Sequence, residues 1–187
     1  MNSDLLVYQA KSFYNAYINL EAISQGPDYM MFIVPVLVNG AFSIELTLKA
    51  ILTKNDISYE KEHNLWMLFI LLPEELQHEI KENLQEKAPE YSDSKKWEEE
   101  FILTSNVFAD WRYCFEGKST PAVDSRFISA LANAAITTMF HYYNVDLVPA
   151  IVDRPASEIS DMFSKNRAEC KSQNIKYIDN KKKRHNP

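Results

Sequence analysis

The sequence predicts an all-α protein, an up-and-down bundle of four to five main helices. Along several segments, apolar residues recur at alternating spacings of three and four, which is the period of an amphipathic helix. Only three of the 187 residues are glycine, so the chain lacks the turn residues that an all-β fold needs. At 46% hydrophobic residues, the chain can bury a core without disulfides or structural metals.

Two long helices are predicted on either side of Gly26-Pro27-Asp28, a helix-breaking segment. The second helix runs to about Lys54 and is apolar nearly all round, which places it at the centre of the bundle. Pro35 lies near its start, where a missing N–H is either tolerated or kinks the first turns. The first helix covers residues 4–24 and carries one apolar stripe of Leu6, Ala10, Phe13, Tyr17 and Leu20.

The remaining helices follow from caps and periodicity. They are a short helix after the cap Asn64, one from Pro73 to about Glu86, one from Ser94 to Glu116, one from Thr120-Pro121 through His141, and one from about Pro155 to Lys171. We expect residues 1–150 to form the bundle and residues 151–187 a C-terminal helix with a basic tail. The predicted core contains Phe42, Leu46, Leu48, Ile51, Phe101, Phe108, Trp111, Phe127 and Leu131.

Charge is distributed unevenly along the chain, whose net charge is −6. Residues 165–187 carry eight basic and two acidic side chains, a net charge of +6, which leaves −12 for residues 1–164. So acidic a body does not attract nucleic acid over its general surface, because phosphate contacts need Lys and Arg. The tail, with Lys181, Lys182, Lys183 and Arg184, either contacts nucleic acid or serves as a solubilising terminus.

Several features predict a cytoplasmic protein outside the membrane. Cys114 and Cys170 show no C-x-x-C spacing, which favours a reducing compartment over a disulfide framework. The N-terminal residues lack the basic region of a signal peptide. The apolar run from Tyr29 to Ile44 is shorter than the roughly 18 residues that span a bilayer.

Glu45 and Lys49 are the only charges in the apolar segment Ala41–Leu52. Residues four apart lie on one helix face, so the two charges are stacked, and burying them requires a compensating partner. We expect Arg112 to come within reach of Glu45, because a guanidinium suits a buried carboxylate better than an ammonium does, and Lys49 then to reach outward. His63 should lie near the same end of the bundle as Lys49.

Three pieces of sequence together resemble the HEPN family of small bacterial and archaeal helical domains. They are A-x-x-I-E-L-x-L-K-A-x-L over Ala41–Leu52, then His63-Asn64-Leu65, and Trp111-Arg112-Tyr113 shortly before Glu116. The resemblance covers roughly residues 5–148. It implies a helical bundle that forms homodimers and works in a prokaryotic system such as phage defence or a toxin–antitoxin pair, with a protein partner, RNA or a nucleotide as its ligand. The aromatic run Phe140, His141, Tyr142 and Tyr143 offers apolar surface for such a dimer.

The catalytic motif of HEPN ribonucleases, an Arg followed after four to six residues by a His, is missing. Arg112 has no His at that spacing, and Arg126 has none before His141. We therefore expect a non-catalytic or degenerate module. The alternative is a metal-independent endoribonuclease in which Arg112, Tyr113 and His63 act on RNA. Its surrounding binding residues would be Glu45, Lys49, Asn64 and Glu116.

Each candidate residue also has a structural interpretation. Arg112 can pair with Glu116 or Glu45, Glu45 with Lys49, and His63 can brace the loop before its helix. His141, on an apolar face, is expected to be a hydrogen-bonded core or interface residue, and His78 to be exposed. The His and Cys residues show no metal-ligand spacing and no glycine-rich phosphate loop is present, so we expect no metal and no cofactor.

Overall fold

The computed structural model describes residues 3–24, 29–107 and 123–144. These residues form α-helices and no strand, which confirms the all-α prediction. The helices are α1 (Ser3–Ile23), α2 (Tyr29–Lys54), α3 (Leu65–Ile70), α4 (Glu74–Lys87), α5 (Ser94–Thr104) and α6 (Ser125–Tyr143), with a 3-10 turn at Pro89–Tyr91. The chain divides into the compact units Met1–Asp146 and Leu147–Pro187, and every described residue belongs to the first. The predicted division at residue 150 stays a prediction.

Helix α2 lies at the centre of the bundle, as its apolar sequence predicted. Helices α1 and α6 both pack along it, and its residues 43–52 are buried on every face. Gly40 permits the close approach, because a Cβ there would lie 3.0 Å from Ile128 and 3.1 Å from the ring of Tyr17. A larger residue at this position would push α1 and α6 away from α2.

The predicted core is largely confirmed where the structure describes it. Leu46, Leu48, Ile51, Phe101, Phe127 and Leu131 are buried, and Phe42 is half-buried. Phe101 lies at the centre of an aromatic cluster, with its ring centroid 5.0 Å from Phe69 and 5.2 Å from Trp97. Phe108 and Trp111 lie outside the described residues.

The prediction of one continuous helix from Ser94 to Glu116 was wrong, because α5 ends at Thr104. The side chain of Ser105 donates a hydrogen bond to the carbonyl of Phe101, 2.8 Å away. Its own carbonyl and hydroxyl oxygens accept the backbone N–H groups of Leu65 and Trp66 at 3.0 and 3.1 Å. Ser105, directly after the end of α5, therefore provides acceptors for the backbone N–H groups of the first turn of α3, which have no partner within that helix.

Helix α6 begins at Ser125, later than the predicted start at Thr120-Pro121. Its N-cap is Asp124, whose side chain accepts the backbone N–H of Arg126 at 2.9 Å. Asp124 also accepts hydrogen bonds from the guanidinium of Arg126 at 3.0 Å and from the hydroxyl of Tyr91 at 2.7 Å. These bonds connect the start of α6 to the 3-10 turn.

Hydrogen bonds and cation–π contacts join the C-terminal end of α6 to the C-terminal end of α2. The ammonium of Lys54 lies 4.1 Å from the ring centroid of Tyr143 and donates to the carbonyl of Tyr142 at 2.8 Å. The hydroxyls of Tyr142 and Tyr143 donate to Asn55 and to the carbonyl of Ala50. Of the run on which the dimer interface was predicted, Phe140 is buried and Tyr142 and Tyr143 are half-buried within the chain, while His141 is exposed.

The two histidines that lie within helices are at the surface. His141 was expected on the apolar face of α6, but its side chain is exposed and its Nδ1 lies 2.8 Å from Glu79. His78 is exposed as predicted, 3.1 Å from Glu82. Both contacts are surface pairs of small energetic weight.

By length and composition alone, the segment Met31–Lys54 could also cross a membrane. The length of the apolar run Tyr29 to Ile44 therefore does not exclude a membrane-spanning helix. In this fold, 56% of the most apolar window of that segment is buried inside the bundle, as in the core helix of a helical domain.

Candidate functional site

A buried ion pair joins Glu45 and Lys49 on adjacent turns of α2. The ammonium Nζ lies 2.7 Å from Oε1 of the carboxylate, and the two side chains are 10% and 2% exposed. Lys49 does not reach outward, contrary to the sequence prediction. The attraction between the two charges offsets the free-energy cost of removing both from water. Either charge buried without the other would destabilise the fold.

His63 completes the cluster from the segment that precedes α3. Its Nδ1 lies 2.8 Å from Oε1 of Glu45, the same oxygen that Lys49 contacts. The imidazole itself is 62% exposed. The prediction that His63 lies at the Lys49 end of α2 is confirmed, and His63 is the one member of the cluster that solvent reaches freely.

The loop between α2 and α3 has a backbone shape that brings His63 to this position. Asp56 and Lys61 both adopt positive φ angles, 55° and 54°, a left-handed conformation that turns the chain sharply. The carboxylate of Glu62 accepts the backbone N–H groups of His63 and Asn64 at 2.9 and 2.8 Å. These two hydrogen bonds fix the backbone at His63 and at the residue that follows it.

Asn64 acts as a cap and not as part of the charged cluster. Its Oδ1 accepts the backbone N–H of Met67 at 3.0 Å, which confirms the predicted N-cap of α3. Its Nδ2 donates to Oδ1 of Asn106 at 3.1 Å. Asn64, the residue after His63, therefore caps α3 and holds the start of that helix near the end of α5.

Tyr59 and Glu62 support the site, and neither was predicted from the sequence. The ring centroid of Tyr59 lies 5.6 Å from Nζ of Lys49, within the range of a cation–π contact. Its hydroxyl lies 2.9 Å from that of Thr53 on α2. The available signal was a single aromatic residue in a mostly polar loop and an acidic residue directly before the histidine.

The arrangement can hold an imidazole in one orientation and tautomer. A carboxylate that receives Nδ1–H leaves the other ring nitrogen to exchange a proton with a substrate or with water, which is the arrangement that general acid–base catalysis uses. The second oxygen of Glu45, Oε2, is buried and has no hydrogen-bond partner among the described residues. The described segments contain no group of acidic, His or Cys side chains that could hold a metal ion.

Several predicted site residues lie outside the described part of the chain. They are Arg112, Tyr113 and Glu116 and the tail residues Lys181, Lys182, Lys183 and Arg184. Of the predicted set, the structure brings Glu45, Lys49 and His63 together and places Asn64 beside them. The proposed contact between Arg112 and Glu45 stays a prediction.

A separate groove of about 420 Å³ lies between α1, α4 and α6. Its lining carries the acidic residues Glu21 and Glu90 and the basic residues Lys87 and Arg126. Arg126 is already paired with the cap Asp124, and none of the sequence-predicted site residues lines this groove. The mixed charges favour no particular ligand.

Comparison with known proteins gave no relative from which a function could be transferred. No protein-family model, no curated protein and no solved structure matches this chain.

Proposed function

We propose that this chain is a non-catalytic or degenerate HEPN-like module, cytoplasmic and homodimeric, that serves as a partner or regulator in a prokaryotic phage-defence or toxin–antitoxin system. The observation that supports a structural role for the charged cluster is its burial. Glu45 and Lys49 neutralise each other at 2.7 Å inside the bundle, where neither can contact a macromolecular ligand. In this proposal the Glu45–Lys49 pair specifies the packing of α2 against the loop, and the protein acts through its surface.

One observation favours a second candidate function, a metal-independent endoribonuclease. The exposed imidazole of His63 is held through Nδ1 by the buried Glu45, so its other ring nitrogen has a fixed position at the surface. Such a group could move the proton of a ribose hydroxyl or of a leaving oxygen. By the resemblance to HEPN ribonucleases, Arg112 would hold the scissile phosphate and Tyr113 would contact the RNA.

RNA cleavage by the purified protein in the presence of a chelator separates the two functions. The proposed non-catalytic module should cleave no faster than a buffer control, and His63→Ala should change nothing. A nuclease would lose cleavage in His63→Ala and keep it in His78→Ala. The latter is a matched control because His78 is an equally exposed histidine that also contacts a carboxylate. Cleavage that depends on His63 in this comparison would overturn the non-catalytic proposal.

A further inference from the structure

Along one face of α2 the side chains are buried in the C-terminal half and partly or largely exposed in the N-terminal half. Met31, Pro35, Val38 and Phe42 follow one another at spacings of four, three and four, and Glu45 and Lys49 continue the same row. The last two are buried beneath the loop that carries His63. The first four are apolar and remain exposed or half-buried, with Met31 75% exposed.

Helix α1 carries a matching row beside it. Phe13, Ala16, Leu20 and Ile23 are spaced by three, four and three and are all at least partly exposed, Ile23 by 62%. The ring of Phe13 meets that of Phe42 edge to face, with 4.5 Å between the centroids. The two rows therefore adjoin and form one apolar face, two helices wide, which we name the hairpin face.

We infer that the hairpin face binds a second copy of this chain, packing two α1–α2 hairpins against each other. This inference deepens the proposed homodimer and rests on it. Alternating spacings of three and four are those of helices that pack side by side along their length. The eight residues of the two rows include no charged side chain, so two identical faces can meet across a two-fold axis without burying an unpaired charge.

The hairpin face is smaller than a standard interface between two protein chains. From Met31 to Phe42 the helix rises about 17 Å, and two helices side by side are about 20 Å wide, which gives roughly 340 Å². A standard interface takes about 800 Å² from each partner. The hairpin face thus supplies an apolar centre to which polar neighbours must add a rim, and we expect a dimer that dissociates in the micromolar range.

The charges around the hairpin face favour a protein partner over a lipid surface. Helices that lie on membranes place Lys and Arg beside their apolar face. The basic residues of α1 and α2 are Lys11, Lys49 and Lys54, and all three face groups of their own chain. Lys11 lies over the ring of Phe140, Lys49 contacts Glu45, and Lys54 contacts Tyr142 and Tyr143.

Sedimentation velocity of the full chain from about 1 to 200 µM tests the inference. The variants are Met31→Asp and Ile23→Asp on the hairpin face, with Ile18→Asp as the control. Ile18 is also an exposed isoleucine of α1, 38% exposed, but it lies outside the row. We expect the two hairpin-face variants to weaken dimerisation at least tenfold and the control to change it less than twofold, with all three melting as the unmodified protein does.

The contrary outcomes are distinct. A dimer that all three variants leave intact would overturn the hairpin face as the interface but leave the homodimer proposal standing. A single chain at every concentration would overturn both. Flotation with vesicles of phosphatidylcholine and phosphatidylserine provides the last comparison: binding that Met31→Asp abolishes and Ile18→Asp preserves would assign the face to lipid.

Discussion

The Oε1 atom of Glu45 lies 2.8 Å from Nδ1 of His63, which joins a carboxylate that is 2% exposed to an imidazole that is 62% exposed. The same oxygen also accepts Lys49. Glu45 therefore connects the interior of the bundle to its surface through two bonds of different character. Variants of the three residues should differ accordingly in their effect on stability.

Glu45→Ala should lower the free energy of unfolding by about 3–5 kcal/mol, because it leaves the ammonium of Lys49 buried without its partner. Replacing both charges at once, as Glu45→Leu with Lys49→Met, should be nearly neutral or stabilising, since apolar side chains of similar size need no compensation. Urea unfolding of the single and double variants measures the difference. A double variant as unstable as Glu45→Ala would show that the cluster does more than balance two charges.

Arg112→Ala should cost about 3–5 kcal/mol if the guanidinium pairs with Glu45 as the sequence predicts. The buried Oε2 of Glu45, without a partner among the described residues, is the atom available for that pairing. Thermal unfolding and RNA cleavage should be measured on the same preparation. Unchanged melting together with lost cleavage would contradict the structural role and support the nuclease.

Asp124 should stabilise the protein in a pH-dependent way. Burial alone would raise the pKa of its carboxyl, but hydrogen bonds from Arg126 and Tyr91 outweigh burial and lower the pKa from 3.8 to about 2. A group with a lowered pKa contributes stability above its unfolded value, and that contribution disappears as the pH falls towards the folded value. Because the carboxylate is partly exposed, we expect about 1–2 kcal/mol.

Asp124→Asn is the matched variant, because asparagine also caps helices but carries no charge. The difference in unfolding free energy between the unmodified protein and Asp124→Asn should be largest above pH 5 and shrink between about pH 4 and pH 2. Chemical unfolding at several pH values checks this. A difference that does not change with pH would show that the hydrogen bonds matter and the charge does not.

Gly40→Ala should destabilise the fold by about 1–3 kcal/mol through overpacking. On an exposed helix the same change would stabilise by up to about 1 kcal/mol. Here the new Cβ would lie 3.0 Å from Ile128. Truncating that neighbour as Ile128→Ala should reduce the cost of Gly40→Ala, and a double-mutant cycle on unfolding free energies measures the coupling. If the two changes show no coupling energy, α1 and α6 can move away from α2 to accommodate the new methyl group at little cost.

Local sequence signals predicted those features whose causes are local. The i, i+4 spacing placed Glu45 and Lys49 on one helix face, and the polar residue before an apolar run predicted the Asn64 cap. The end of α5 was missed because Ser105 is bound by α3, a contact between segments 40 residues apart in sequence that periodicity cannot reveal. The inward path of Lys49 was missed for a related reason. It depends on a loop that turns through two left-handed residues and covers that face of α2.

Helix α2 is continuous, but the backbone hydrogen bonds of its two halves should open with different free energies. Residues 43–52 are buried all round, so their amides should exchange with solvent only when the whole bundle unfolds. Around Pro35 the backbone lacks one N–H donor, and of residues 31–39 only Val36 and Leu37 are buried, so this half should exchange through local opening. The first half of the central helix is therefore the region whose order a bound partner can raise, while the second half is already as protected as the fold permits.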